Sequence, residues 1–200
     1  GSLTGEIKVY PNLAAHVLES LEGLAKRPAG CAEQTTSTLY ANVLVARLLA
    51  KDNVSPELAA TVHQHIRDGM VTLGTLQNES GTFGYADGKK DPRLTAYVLQ
   101  CLRDVSQLAD KQSWESVGQQ AETMIERVKD ALIESQLPNG SWKDPWDDYW
   151  PARPQSVELT AATAKALQEQ ARSLDERVAY FRLRNGAGQA ARPTERQAAQ

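Results

Sequence analysis

Apolar residues return along most of this chain at spacings of three and four. Between Pro11 and Arg27, Leu13, Val17, Leu21 and Leu24 form one stripe, the period of a helix with a single buried face. The alternation expected of strands is absent. Two helix starts are marked chemically: Ser55-Pro56-Glu57 and Asp91-Pro92 each place a capping side chain before a proline at the first helical position, where a missing N–H costs nothing. The pattern predicts helices near 11–27, 33–51, 56–77, 92–108, 113–136 and 155–172, with a weaker seventh over 174–183.

The helices fall into two kinds. Thr38 to Ala50, Leu94 to Leu102 and Val157 to Leu167 are apolar or small around most of their circumference, whereas 56–77 and 113–136 carry charge on a wide face. The first kind reads as inner helices and the second as outer ones. A repeat supports the alternation. Gln77-Asn78-Glu79-Ser80-Gly81-Thr82-Phe83 and Gln136-Leu137-Pro138-Asn139-Gly140-Ser141-Trp142 share the form Gln-x-x-x-Gly-x-aromatic. Each follows a polar helix and precedes an apolar one opening with Leu-Thr-Ala, at Leu94-Thr95-Ala96 and Leu159-Thr160-Ala161. A period of about 60 residues means stacked helical hairpins that close only on their neighbours. The glycine serves the tight turn, and the aromatic plugs the gap between hairpins.

The expected fold is therefore all-α, an α/α toroid of helical hairpins. Residues 1–183 form the toroid domain, and residues 184–200 a connector, a tail or the start of a further helix. Six or seven helices make little more than half of a six-hairpin ring, so the ring is either shortened or continues beyond this chain.

Composition narrows the function. The chain has 200 residues, 41% apolar, with a formal net charge of -3. Lys and Arg are interspersed with Asp and Glu, so there is no basic stripe for nucleic acid. No apolar run is long enough to span a bilayer, so no membrane contact is expected of this domain. The opening Gly1-Ser2 reads as a cloning scar, which would make the chain a fragment of a larger protein with its targeting signal elsewhere.

The two cysteines stand in different settings. Cys101 lies in the apolar stretch Leu94 to Leu102, where a thiol packs as a small hydrophobe. Cys31 lies at a helix entrance within Pro28-Ala29-Gly30-Cys31-Ala32-Glu33-Gln34-Thr35-Thr36-Ser37, a setting that favours a reactive thiol. That stretch resembles the thioester motif of the alpha-macroglobulin and complement family in its bacterial form. Ala32 replaces the glycine usual in animal members, at a position that varies among bacterial ones. The resemblance covers roughly residues 10 to 172, and it implies the same toroid.

The resemblance also implies chemistry. Cys31 and Gln34 would close an internal thioester with loss of ammonia, Gly30 freeing the backbone for the turn and Glu33 standing in support. Free N–H groups around Glu33 to Thr36 would polarise the thioester carbonyl. A Lys amine or a hydroxyl of another protein would then attack the Gln34 carbonyl and release the Cys31 thiol. Without turnover, this is a single-use covalent trap and protease inhibitor, not an enzyme, and it needs no cofactor or metal. Relatives that transfer rapidly to hydroxyls keep a histidine in the loop after the second repeat turn. Here the loop is Lys143 to Pro151, without histidine, and Tyr149 or Trp150 stands in its place. Direct attack by Lys amines is the expectation. The family context implies neighbouring domains of a parent macroglobulin, a bait region cut by target proteases, and a periplasmic or envelope location.

Other candidates carry less. His63 and His65 point about 200° apart on a helix and cannot readily share a metal; with His16 they read as solvated surface residues. Asp144, Asp147 and Asp148 form an acidic cluster that reads chiefly as turn caps. Trp142, Trp146, Tyr149 and Trp150 would wall the thioester, meet a neighbouring domain or simply pack. The main alternative is a toroid enzyme of the terpene-cyclase or prenyltransferase type, which uses the same turns. Asp147-Asp148 lacks the cyclase Asp-x-Asp-Asp spacing, no zinc set is visible, and the chain is far too short for a cyclase. A third reading is a non-reactive interaction domain.

Overall fold

The computed structural model describes residues 5, 13–52, 55–85, 90–143, 145, 162–169 and 172. Five helices run in order: α1 (Leu13–Leu24), α2 (Ala32–Asp52), α3 (Pro56–Leu76), α4 (Pro92–Gln112) and α5 (Glu115–Glu134). A sixth helical segment covers residues 162–169. Among the described residues the sole strand-like feature is an isolated bridge between Gly84 and Lys90. The readings for 174–183 and 184–200, and most of the 144–151 loop, lie outside the described residues.

Both predicted proline starts are used. Ser55 accepts from the Leu58 N–H at the head of α3, and Asp91 accepts from the Arg93 and Leu94 N–H groups at the head of α4, satisfying donors that have no partner inside the helix. α4 runs past the predicted end at 108. Its late polar residues pair sideways, Asp104 with Arg47 and Ser106 with Glu122, and the helix stops at Ser113, which adopts left-handed backbone at φ 59°. On α1 the buried edge is Leu18 and Leu21, followed by Ala25, while Val17 and Leu24 face outward. Both sets fit a helical period, so spacing alone could not choose between them.

α2 packs on α3 and α4, α4 packs also on α5, and α3 touches α5. The apolar helices α2 and α4 thus form an inner layer behind the outer pair α3 and α5, the alternation of an α/α toroid. Between the layers lie Leu39, Val43, Ile66, Met70, Leu99, Leu102, Ile125 and Leu132, all essentially without solvent exposure. Residues 162–169 join on the inner side, where Ala166 and Thr163 are buried and Glu169 pairs with Arg103 of α4 at 2.7 Å.

The two repeated turns are built alike. Gln77 donates from Nε2 to the Gly81 carbonyl at 2.9 Å, and Gln136 does the same to Gly140 at 3.0 Å. Asn78 N–H bonds the Thr82 carbonyl, as Leu137 N–H bonds that of Ser141. Both glycines have positive φ, 84° and 81°, which a side chain would disfavour. Phe83 and Trp142 then plunge into the core, 0% and 1% exposed, and the Trp142 indole donates to the Leu132 carbonyl at 2.8 Å. α5 clasps the first turn through Arg127, which bonds Gln77 Oε1 and the Asn78 carbonyl.

The two glycines therefore predict different costs. A Cβ on Gly81 would lie 2.4 Å from the Arg127 carbonyl oxygen, whereas one on Gly140 meets nothing nearer than 3.9 Å. Gly140→Ala should destabilise by about 1 kcal/mol from backbone strain alone, and Gly81→Ala by about 2 kcal/mol or more; denaturant unfolding measures both, and equal losses would contradict the packing. A second expectation concerns Tyr40, whose hydroxyl donates to Asp104 Oδ2 at 2.6 Å. That bond, with burial and the carboxylate's charge, pushes the phenol from 10.0 up to about 12. The neutral phenol is favoured by folding, so its contribution is complete below pH 10 and fades as pH rises from about 10 to about 12. Ultraviolet titration should show a late-ionising tyrosine that disappears in Tyr40→Phe.

Candidate functional site

The loop between α1 and α2 is held from several sides. Arg27 pairs with Asp68 of α3 at 2.9 Å, and Gln64 secures the other oxygen of that carboxylate at 2.8 Å. The Gln64 bond and then the Arg27 charge keep the Asp68 carboxyl below its usual range. Pro28 is buried in a notch that exists because residue 69 has no side chain: a Cβ there would come within 2.9 Å of Pro28 Cγ and 3.1 Å of Leu39 Cδ1. Asn42, fully buried on α2, donates from Nδ2 both to the Lys26 carbonyl at 2.7 Å and to the Thr38 carbonyl at 2.8 Å. Loop and helix are thereby fixed together.

At the end of this loop Gly30 turns with φ +99°, and α2 begins two residues later. Cys31 stands just ahead of the helix, half-buried, and Gln34 occupies the third helical position. The Gln34 carboxamide folds back so that Oε1 accepts from the Cys31 backbone N–H at 3.2 Å. This is one arm of a capping box, the arm in which the side chain at the third helical position satisfies the capping residue's own N–H. A Cβ on residue 30 would lie 2.2 Å from that oxygen, so glycine is required by space as well as by φ. Thr35, fully buried, gives its N–H to the Cys31 carbonyl at 2.9 Å and its hydroxyl to the Gly30 carbonyl at 3.3 Å. Gly30, Cys31 and Gln34 are thus brought together, with the thiol-bearing residue beside the carboxamide. The donor at the carboxamide oxygen is Cys31 N–H, and of the 33–36 group expected to face a thioester carbonyl, Thr35 N–H serves the Cys31 carbonyl.

Glu33 faces α4. Its Oε1 accepts from Ser37 Oγ at 3.3 Å, and Ser37 Oγ lies 3.3 Å from the Tyr97 hydroxyl. Tyr97 stands edge-on to Tyr40, ring centroids 6.5 Å apart. Tyr85, in the loop after the first repeat turn, is 43% exposed; burial and then the charges of Asp91, Glu33 and Cys31 raise its phenol. Sequence reading gave no role to Tyr85, Tyr97 and Asn42, which stand in no motif, nor to Ser37, which closes the Cys31 motif.

Cys101 is buried with Sγ 4.0 Å from the Thr36 carbonyl, and burial pushes its thiol up, in keeping with a packing role. His63 corrects the expectation of a solvated residue: it stacks on Trp114, centroids 3.9 Å apart and planes 10° from parallel, and burial followed by Arg67 lowers its pKa. His65 is also half-buried. Among the described residues no group of three His, Cys, Asp or Glu side chains is placed to hold a metal, and no helix is long and apolar enough to cross a membrane. Asp144, Trp146, Asp147, Asp148, Tyr149 and Trp150 lie outside the described residues; Trp142 is core.

The family model for the A-macroglobulin TED domain matches residues 7–174. The chain belongs to that family. No curated protein matches it. Membership makes this a thioester domain of the macroglobulin-like kind, and the terpene-cyclase alternative loses its ground. In this TED domain the helix entrance carrying Cys31 packs against α3 through Pro28 and Arg27, and α2, the helix it opens, packs against α4.

Gly30→Ala tests the turn itself. Clash and φ should break the contact between Cys31 N–H and Gln34, so amide hydrogen exchange at Cys31 should speed by about tenfold or more, the worth of one net hydrogen bond, while amides of α5 keep their protection. Unchanged exchange at Cys31 would mean that the carboxamide does not cap it.

Proposed function

We propose that this TED domain carries an internal thioester between Cys31 Sγ and the Gln34 side-chain carbonyl carbon and uses it once, to bind another protein covalently. The observation that carries this reading is the Gly30 turn that lays the Gln34 carboxamide over the Cys31 N–H at 3.2 Å. In forming the thioester, Cys31 sulfur attacks the carboxamide carbon, the C–S bond forms, the C–N bond breaks and ammonia leaves. The Cys31 N–H stays within reach of the carbonyl oxygen and stabilises the charge that develops there at each attack. In capture, a lysine amine attacks the same carbon, an amide forms and the thiol is released.

With no histidine in the 143–151 loop, no acyl carrier stands between thioester and target, and amines are the favoured nucleophiles. Proteases that cut a parent macroglobulin are the targets this reading assigns, and the periplasm or envelope is the compartment. The family membership and the Gly-Cys-Ala-Glu-Gln motif support it.

Freshly prepared protein should weigh one ammonia less than its sequence. Methylamine should add to Gln34 and free one thiol at Cys31, and in a mixture with glycerol the amide should dominate. Intact and peptide mass spectrometry read all three outcomes. An unmodified Gln34 in fresh parent protein would overturn the thioester, and predominance of the glycerol ester would overturn the direct route.

A further inference from the structure

Glu33 is held in a way the thioester itself does not explain. Ser37 has one hydroxyl proton and gives it to Glu33 Oε1, so at the 3.3 Å contact between Ser37 and Tyr97 the phenol is the donor. The result is a directed relay from Tyr97 O–H to Ser37 O–H to the Glu33 carboxylate. Tyr97 is steadied in turn by its edge contact with Tyr40, whose hydroxyl is tied to Asp104. The relay occupies one carboxylate oxygen and fixes its orientation. Among the described residues Oε2 has no hydrogen-bond partner, and no cation pairs with Glu33. Glu33 is half-buried on the first turn of α2, next in sequence to Gln34.

A half-buried carboxylate with one oxygen anchored and the other open suits a group that arrives with a positive charge and must lose a proton. A lysine side chain does both, since at neutral pH it is an ammonium with no lone pair for attack.

We propose that Glu33 selects amines as the captured nucleophile: its carboxylate receives the incoming ammonium on Oε2 and takes the proton that frees the amine. The proposal rests on the thioester reading above and deepens it. The amine lone pair then forms the C–N bond to the Gln34 carbonyl carbon. The C–S bond breaks with its electron pair on Cys31 Sγ. Of the two protons lost by the ammonium nitrogen, the first passes through Glu33 to solvent and the second ends on the Cys31 thiol, leaving an amide. No acyl intermediate is needed, which accounts for amine capture without a histidine.

The test compares two nucleophiles of different charge on the same thioester. Methylamine is a cation at neutral pH, and hydroxylamine is largely uncharged there. Adduct formation on Gln34 is followed by intact mass in the unaltered protein and in Glu33→Gln, which keeps an oxygen to accept from Ser37 but neither attracts a cation nor takes its proton. Glu33→Gln should slow methylamine roughly a hundredfold and change hydroxylamine less than twofold. Ser37→Ala, which frees the carboxylate without removing it, should slow methylamine by a smaller factor and again spare hydroxylamine. Equal slowing of both nucleophiles, or no slowing of either, would overturn the role of Glu33 while leaving the thioester in place. Were Glu33→Gln to lack the ammonia loss, Ser37→Ala would decide alone, and equal effects on the two nucleophiles would overturn the proposal. Absence of the ammonia loss in the unaltered protein would overturn the thioester reading and this one with it.

Discussion

The contact between the Cys31 N–H and the Gln34 carboxamide is what the rest of this domain serves. A helix leaves its first N–H groups without partners, and the common remedy is a side chain three residues on that reaches back. Here that remedy has been given a cysteine at the capping position, so the folded-back carbonyl comes to rest on the backbone of a thiol-bearing residue. The Cys-x-x-Gln spacing is thus the spacing of a helix cap before it is that of a reaction. The distant supports follow from this. Gly30 has no side chain because the carboxamide oxygen fills that space. Pro28 in the Gly69 notch, Arg27 on Asp68 and the Lys26 carbonyl on Asn42 keep the approach to the cap from moving.

Those supports come from α2 and α3, while Glu33 is met by Ser37 of α2 and, through it, by Tyr97 of α4. The site therefore lies where two hairpins meet, and the two-layer packing fixes its parts relative to one another. The ion-paired network around Asp104, with Tyr40, Arg47 and Arg103, ties α2 to α4 on their inner side. Burial of a carboxylate is costly unless its charge is paired, and here a phenol meets one oxygen and two guanidiniums the other. The network holds in register the inner helices that bear Glu33 and Tyr97.

Much of this was legible in the chain because most helices are amphipathic and capped by residues with a clear chemical reason. Ser55 and Asp91 were readable as caps, the Gln-x-x-x-Gly-x-aromatic turns as one device used twice, and the inner and outer helices by the width of their charged faces. The same periodicity misled on α1, where Val17 and Leu24 fit the stripe yet face outward, and it fell short on α4, which runs past the predicted end at 108 to Gln112. What could not be read was pairing at a distance. Asp68 and Gly69 lie about 40 residues from the loop they hold, and nothing local to either residue announces that task. Tyr97 and Ser37, 60 positions apart, meet only once α4 lies beside α2. The motif showed which atoms stand close in sequence; the choice of Cys31 N–H as the donor required the fold.

The clasp of Arg127 on the first repeated turn has a bearing on how such a molecule can assemble. A turn that ends one hairpin is completed by a helix of the next, since Gln77 and Asn78 find their partner on α5 and the Gly81 backbone rests on that helix. Neither hairpin is a finished module. Without α5 the first hairpin lacks the Arg127 partner of Gln77 and Asn78, so the two hairpins stabilise each other. Emerging from a ribosome, the cysteine-bearing half must wait for α5 before its own last turn is closed, because the Arg127 that meets Gln77 is made 50 residues later.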